Sequence, residues 1–188
     1  MPVKLELMAG DVVLVRSAGC AAGLIRAATR LPGESRTKVN HCGVMTSATV
    51  VIEAIDRTRE HLLETQYGPP SKSLIAVYRM KGLERGDRVA IARRAQRYRD
   101  APYGWGKIAA HAVDRYLFLG RSVVRRALFW DRYPICSWIN GYAYYDELGY
   151  RFLGKHPRSQ DPDDIWDDCQ ESGTWECVME LGSLEVVP

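Results

Sequence analysis

No run of apolar residues in this chain approaches the roughly 20 that a membrane-spanning helix needs. Its 188 residues carry a formal net charge of only +3, too little to mark a binder of nucleic acid. Cysteine is scarce: the five residues, Cys20, Cys42, Cys136, Cys169 and Cys177, are odd in number and do not pair as metal-ligand doublets. That excludes a disulfide framework and a zinc ribbon, and it fits reduced thiols. No glycine-rich phosphate loop is present. His61 and Glu64 stand three apart without a second doublet, and the acidic Asp161–Asp168 stretch lacks the glycine and terminal glutamate of a calcium loop. No metal and no cofactor are therefore expected. The first residues, Met1 to Glu6, include an acid where a secretory leader would be apolar, so the expected location is cytoplasmic.

What is present is an average globular mixture, 46% hydrophobic and 26% charged. A chain of this length buries roughly two-thirds of its unfolded surface, enough for one self-sufficient domain over residues 1–188. Charge is uneven along it. Between Arg79 and Arg132 there are fourteen basic residues against five acids; between Asp146 and Pro188 there are eleven acids against three bases. Two solvated faces account for this most simply.

Hydrophobic spacing gives short strands at about Val12–Arg16, Asn40–Thr46, Thr49–Ile55 and Leu74–Arg79, with a last one near Thr174–Leu181. Helices are expected at about Ala21–Arg30, Asp87–Arg99, Cys136–Leu148 and from the Pro-Asp-Asp start at Pro162. The elements interleave with no βαβ period, so the fold class is α+β. A helical insert is expected around residues 107–132. In it Val113, Leu117, Val124 and Leu128 share one stripe, read as core-facing with solvated arginines. A basic, aromatic amphipathic segment is also what lies on an anionic membrane surface, the less favoured reading.

Three residues are the candidates for one catalytic unit. Glu53 interrupts the apolar run Thr49-Val50-Val51-Ile52-Glu53-Ala54-Ile55, where an ionised carboxylate is costly to bury without a partner. His41 opens the neighbouring strand. If the two strands form a hairpin, an odd-numbered loop such as Thr46-Ser47-Ala48 sets His41 directly opposite Glu53 on one face; an even loop separates them. No glycine marks the turn, so the register stays open. Cys136 follows Pro134-Ile135 at a helix start, where free N–H groups and the positive dipole end favour thiolate. A dipole alone supplies roughly 0.3–1 kcal/mol, less than an activated thiol requires, so an imidazolium must supply the rest. Tyr103, in Pro102-Tyr103-Gly104-Trp105, is a softer candidate for lining the substrate pocket, with structural packing an equal reading of the same residues.

Several segments recur here in one order: Gly10 to Arg16, Leu24 to Thr29, His41-Cys42-Gly43-Val44, Val51-Ile52-Glu53-Ala54, Tyr103-Gly104-Trp105 and Cys136-Ser137. That order resembles the circularly permuted NlpC-type papain-like cysteine hydrolases, the YiiX-like group, and their relatives around lecithin:retinol acyltransferase. The resemblance implies a papain-like α+β domain, a small antiparallel sheet or barrel packed against the cysteine helix. It also implies acyl transfer by Cys136 as nucleophile, His41 as base and Glu53 as orienter. The substrate would be a peptide-like or acyl small molecule, with a lipid-directed acyltransferase or a non-catalytic binding module as alternatives. Ser137-Trp138-Ile139 departs from the Ser-Glu-Leu often found after the cysteine, which leaves the substrate open. Nothing in the sequence specifies an oligomeric state.

Overall fold

The computed structural model describes residues 6–17, 38–69, 71–104, 134–181 and eight isolated positions between 106 and 124. Six strands form an antiparallel sheet: β1 (Val12–Arg16), β2 (His41–Met45), β3 (Val50–Ala54), β4 (Thr58–Leu62), β5 (Leu74–Met80) and β6 (Trp175–Leu181). Their spatial order is β4-β3-β2-β1-β5-β6. The helices are α1 (Leu63–Tyr67), α2 (Arg85–Gln96), α3 (Cys136–Leu148) and α4 (Pro162–Glu171). The α+β class expected from the interleaving is what forms. The sheet is open, edged by β4 and β6, rather than closed into a barrel.

β1 is central and its Val12-Val13-Leu14-Val15 run is fully buried, because both faces of the sheet are covered. Val12 and Leu14 join Cys42, Val44, Ile52 and Ala54 in the cluster under α2 and α3. Val13 and Val15 face the other way, with Met45, Val51, Leu63 and Tyr67. Alternation thus divides one sheet between two cores.

The charge blocks of the sequence resolve into local roles. Asp11, fully buried at the mouth of β1, accepts from Arg79 Nε at 2.9 Å and Nη2 at 2.7 Å, and from the Met8 N–H at 2.8 Å. Breaking such a buried pair strands a charge, at a cost of roughly 3–5 kcal/mol. In the acidic tail, Asp161 caps α4 by accepting from the N–H groups of Asp163 and Asp164, each at 3.0 Å, and Asp164 accepts in return from the Asp161 N–H. Asp163 reaches further. Its Oδ1 accepts from the Lys38 N–H at 2.8 Å and pins the segment leading into β2.

Helix α3 has the limits its sequence predicts. Pro134 precedes it, and Gly149, in the left-handed region at φ 68°, ends it. β4 was not foreseen: Thr58-Arg59-Glu60-His61-Leu62 is mostly polar because the strand is an edge. It also places His61 on a strand and Glu64 on α1, so the pair does not share a helical face. The helix expected at 21–30 lies outside the described residues, as does most of the 107–132 insert. Where the insert is described, Val113 and Leu117 of the expected stripe are exposed, Val124 is half-buried and Asp114 is buried. Asp114 Oδ1 accepts from the N–H groups of Val123 and Val124, at 3.0 and 2.7 Å, which turns that side inward.

Candidate functional site

The β2–β3 hairpin brings His41 and Glu53 together, though not as a directly opposed pair. The register is Gly43↔Glu53, Val44↔Ile52 and Met45↔Val51. The Thr46 N–H bonds the Val50 carbonyl at 2.8 Å, and Ser47 Oγ accepts from the N–H groups of Thr49 and Val50. The turn is therefore the odd loop Ser47-Ala48-Thr49, one residue later than Thr46-Ser47-Ala48. Parity holds, so both side chains share a face, but Glu53 lies diagonally from His41, two residues along. Gly43 stands directly opposite the carboxylate and makes room for that diagonal. A Cβ there would lie 2.8 Å from Val51 Cγ2 and 3.2 Å from Glu53 Cβ.

His41 Nε2 and Glu53 Oε2 are 2.7 Å apart. The carboxylate is wholly inaccessible, whereas 11% of the imidazole side chain remains exposed. Only the histidine end of the pair can meet a substrate. The same Oε2 accepts from the Tyr67 hydroxyl at 2.5 Å. Burial alone would push the Glu53 carboxyl up, but the His41 and Tyr67 hydrogen bonds and the His41 charge outweigh it and hold it below its ordinary value.

Cys136 is the first residue of α3, after Ile135 in extended conformation, so its N–H is among those with no acceptor inside the helix. Its thiol is held well below the usual cysteine value. The largest cause is a hydrogen bond from the Cys42 side chain; burial opposes it, and the His41 charge and hydrogen bond reinforce it. His41 mirrors this. Burial would lower its pKa, yet the Cys136 charge and hydrogen bond, followed by Glu53, push it up to about 10. With Nε2 committed to Glu53, Nδ1 is the nitrogen left for the sulfur. His41 lies opposite Val15 at the start of β2, and Cys42 beside it turns to the α3 side.

Cys42, read from sequence only as alternating away from His41, thus belongs to the site. It faces α3, and burial followed by its hydrogen bond to Cys136 pushes its own thiol well up, leaving it the donor of the pair. Tyr103 is buried beside them, and burial together with the Cys136 charge raises its hydroxyl. Tyr67 escaped the sequence reading, since a tyrosine on a five-residue helix carries no periodic signal. Cys136 is itself only 3% exposed. Two described surface cavities, of about 850 and 540 Å³, are lined by other residues. Among the described residues no group of three or more His, Cys, Asp or Glu side chains is arranged to hold a metal ion.

No family model matches this chain, and no curated protein does. Among solved structures it is similar to one described as the metalloprotein YiiX from Escherichia coli O157:H7, DUF1105. The identity is 17% and the TM-score 0.53, over 89% of this chain and 82% of that one. The shared property is the fold: an α+β domain with an antiparallel sheet packed against helices, consistent with a YiiX-like architecture.

Proposed function

We propose that this protein is a thiol hydrolase of the circularly permuted, papain-like kind, cleaving an amide or ester through a thioester on Cys136. The observation that carries the reading is the convergence of a helix-start thiol, an imidazole and a buried carboxylate, with the thiol lowered and the imidazole raised. The pair rests as thiolate and imidazolium. The sulfur attacks the carbonyl carbon, and the Cys136 N–H faces the developing oxyanion. The imidazolium proton passes to the leaving nitrogen or oxygen as the carbon–heteroatom bond breaks. Neutral His41 then takes a proton from water, whose oxygen attacks the thioester and expels the thiolate. Glu53 holds the tautomer throughout.

The word metalloprotein describes the structural neighbour. In this chain His41 and Glu53 partner each other, and the described donor groups do not assemble around an ion.

A lipid-directed acyl substrate is the second reading, favoured by exposed Leu117, Phe118 and Val123 in a segment whose sequence also carries Arg121, Arg125 and Arg126. One experiment separates the two. The protein is incubated with a short-chain and a long-chain p-nitrophenyl ester, quenched in acid and digested for mass spectrometry. An acyl group on the Cys136 peptide is expected; preference for the long chain supports the lipid reading. Acyl groups confined to lysines, with Cys136 unmodified, would overturn both.

A further inference from the structure

We infer that Tyr67 is a positioning residue for Cys136 chemistry, acting through Glu53; the inference rests on the triad reading above and extends it by a fourth member. Glu53 Oε2 has two donors, His41 Nε2 at 2.7 Å and the Tyr67 hydroxyl at 2.5 Å. Its other oxygen, Oε1, is buried without a hydrogen bond and has His61 Nε2 3.9 Å away. An isolated carboxylate in such a place would rotate or take up a proton. The phenol prevents both, because a neutral donor stabilises the anion without competing for the charge of the imidazolium.

The surrounding fold is built around that hydroxyl. α1 is a single turn, closed where the Gly68 N–H bonds the Glu64 carbonyl at 2.7 Å, and a Cβ at Gly68 would lie 2.3 Å from that same oxygen. The tight closure fixes Tyr67 with its ring buried among Leu63, Val51 and Met45. The hydroxyl is the only polar part of the residue's side chain, and it ends on the carboxylate. Burial followed by the Glu53 charge raises its pKa, so it stays a donor. The titratable groups facing Glu53 are His41 from β2, His61 from β4 and Tyr67 from α1, with Arg59 opposite it in register on β4.

The consequence is a pH profile. Iodoacetamide alkylation of Cys136, located by mass spectrometry, rises along an acid limb as the thiolate–imidazolium pair forms. Tyr67→Phe keeps the ring and removes the donor, so Glu53 protonates more readily and the limb moves up. The expected shift is about half to one pH unit, with a rate loss of roughly three- to tenfold on the limb and none on the plateau. Replacing Tyr67 by 3-fluorotyrosine, a stronger donor of nearly the same size, moves the limb down, which a purely structural ring would not do. It also keeps the test open should Tyr67→Phe fail to fold. In a Glu53→Gln background the Tyr67→Phe shift disappears. Superimposable limbs for the wild-type, Tyr67→Phe and 3-fluorotyrosine proteins would overturn the role of Tyr67. If His41→Ala and Glu53→Gln also left the limb unmoved, the triad reading itself would fall.

Discussion

Cys136→Ala is expected to lower ester or amide turnover by at least about 10⁴-fold while the protein stays folded. Of the two thiols described at the site, that of Cys136 is lowered and that of Cys42 is raised. Cys42 lies beside it, but burial keeps that thiol protonated. Members of such a unit fail together, so a loss of this size, about 5.5 kcal/mol in barrier, follows from removing the nucleophile alone. The change deletes a single buried sulfur atom. Cys42→Ala makes the useful contrast. It removes one hydrogen bond to the thiolate, worth about 1–3 kcal/mol, and so raises the Cys136 pKa without removing the reaction. Steady-state rates of the two variants, normalised by their circular-dichroism spectra, check this. Equal losses in both would mean that the sulfur at 136 is not the reacting atom.

Glu53→Gln is expected to reduce turnover by roughly 10²- to 10⁴-fold, with a characteristic change in pH dependence. His41 stands at about 10 against an ordinary imidazole value of 6.5, raised first by the Cys136 charge and hydrogen bond and then by Glu53, all against burial. A raised imidazole favours the folded state fully below 6.5 and loses that contribution as pH climbs through about 10. The amide keeps an acceptor for Nε2 but removes the negative charge. The upper edge of the active window therefore falls, while burial is left to push the imidazole further down. Glu53 contributes in the opposite sense. Its carboxyl is held low, so its share of stability is present above the ordinary carboxylate range and lost as pH falls through the lowered value. A rate profile with an unchanged alkaline limb would show that the charge at position 53 does not reach His41.

Much of this arrangement was legible in the sequence because it depends on strong local signals. Pro134 and Gly149 bracket α3, so Cys136 could be placed at a helix start from the chain alone. A glutamate directly after Val50-Val51-Ile52 stands out in the chain, though on its own it reads as a residue facing water. The register was different. Thr46 and Ser47 close the hairpin through an ordinary backbone bond and a side-chain hydroxyl, without a glycine, and nothing in those residue types distinguishes one odd loop from the next. The diagonal placement of His41 and Glu53, and the need for Gly43 opposite the carboxylate, emerge only once the strands are paired. Tyr67 and Cys42 were hidden for a related cause: each sits in an apolar cluster where its residue type is unremarkable, and only tertiary contact gives its polar atom a partner. The acidic tail illustrates the reverse. Its aspartates are dense enough to suggest a cation site, yet Asp161, Asp163 and Asp164 are occupied in capping α4 and in anchoring the strand that carries His41.

The most direct measurement is competitive alkylation of the wild-type protein across pH, with adducts quantified separately on Cys20, Cys42, Cys136, Cys169 and Cys177. The account predicts that at neutral pH Cys136 reacts first by a wide margin although it is buried and Cys177 is exposed. Its reactivity should persist well below the ordinary thiol range. Cys177 modified ahead of Cys136 at neutral pH, with Cys136 becoming reactive only above the ordinary thiol pKa, would contradict the proposed ion pair.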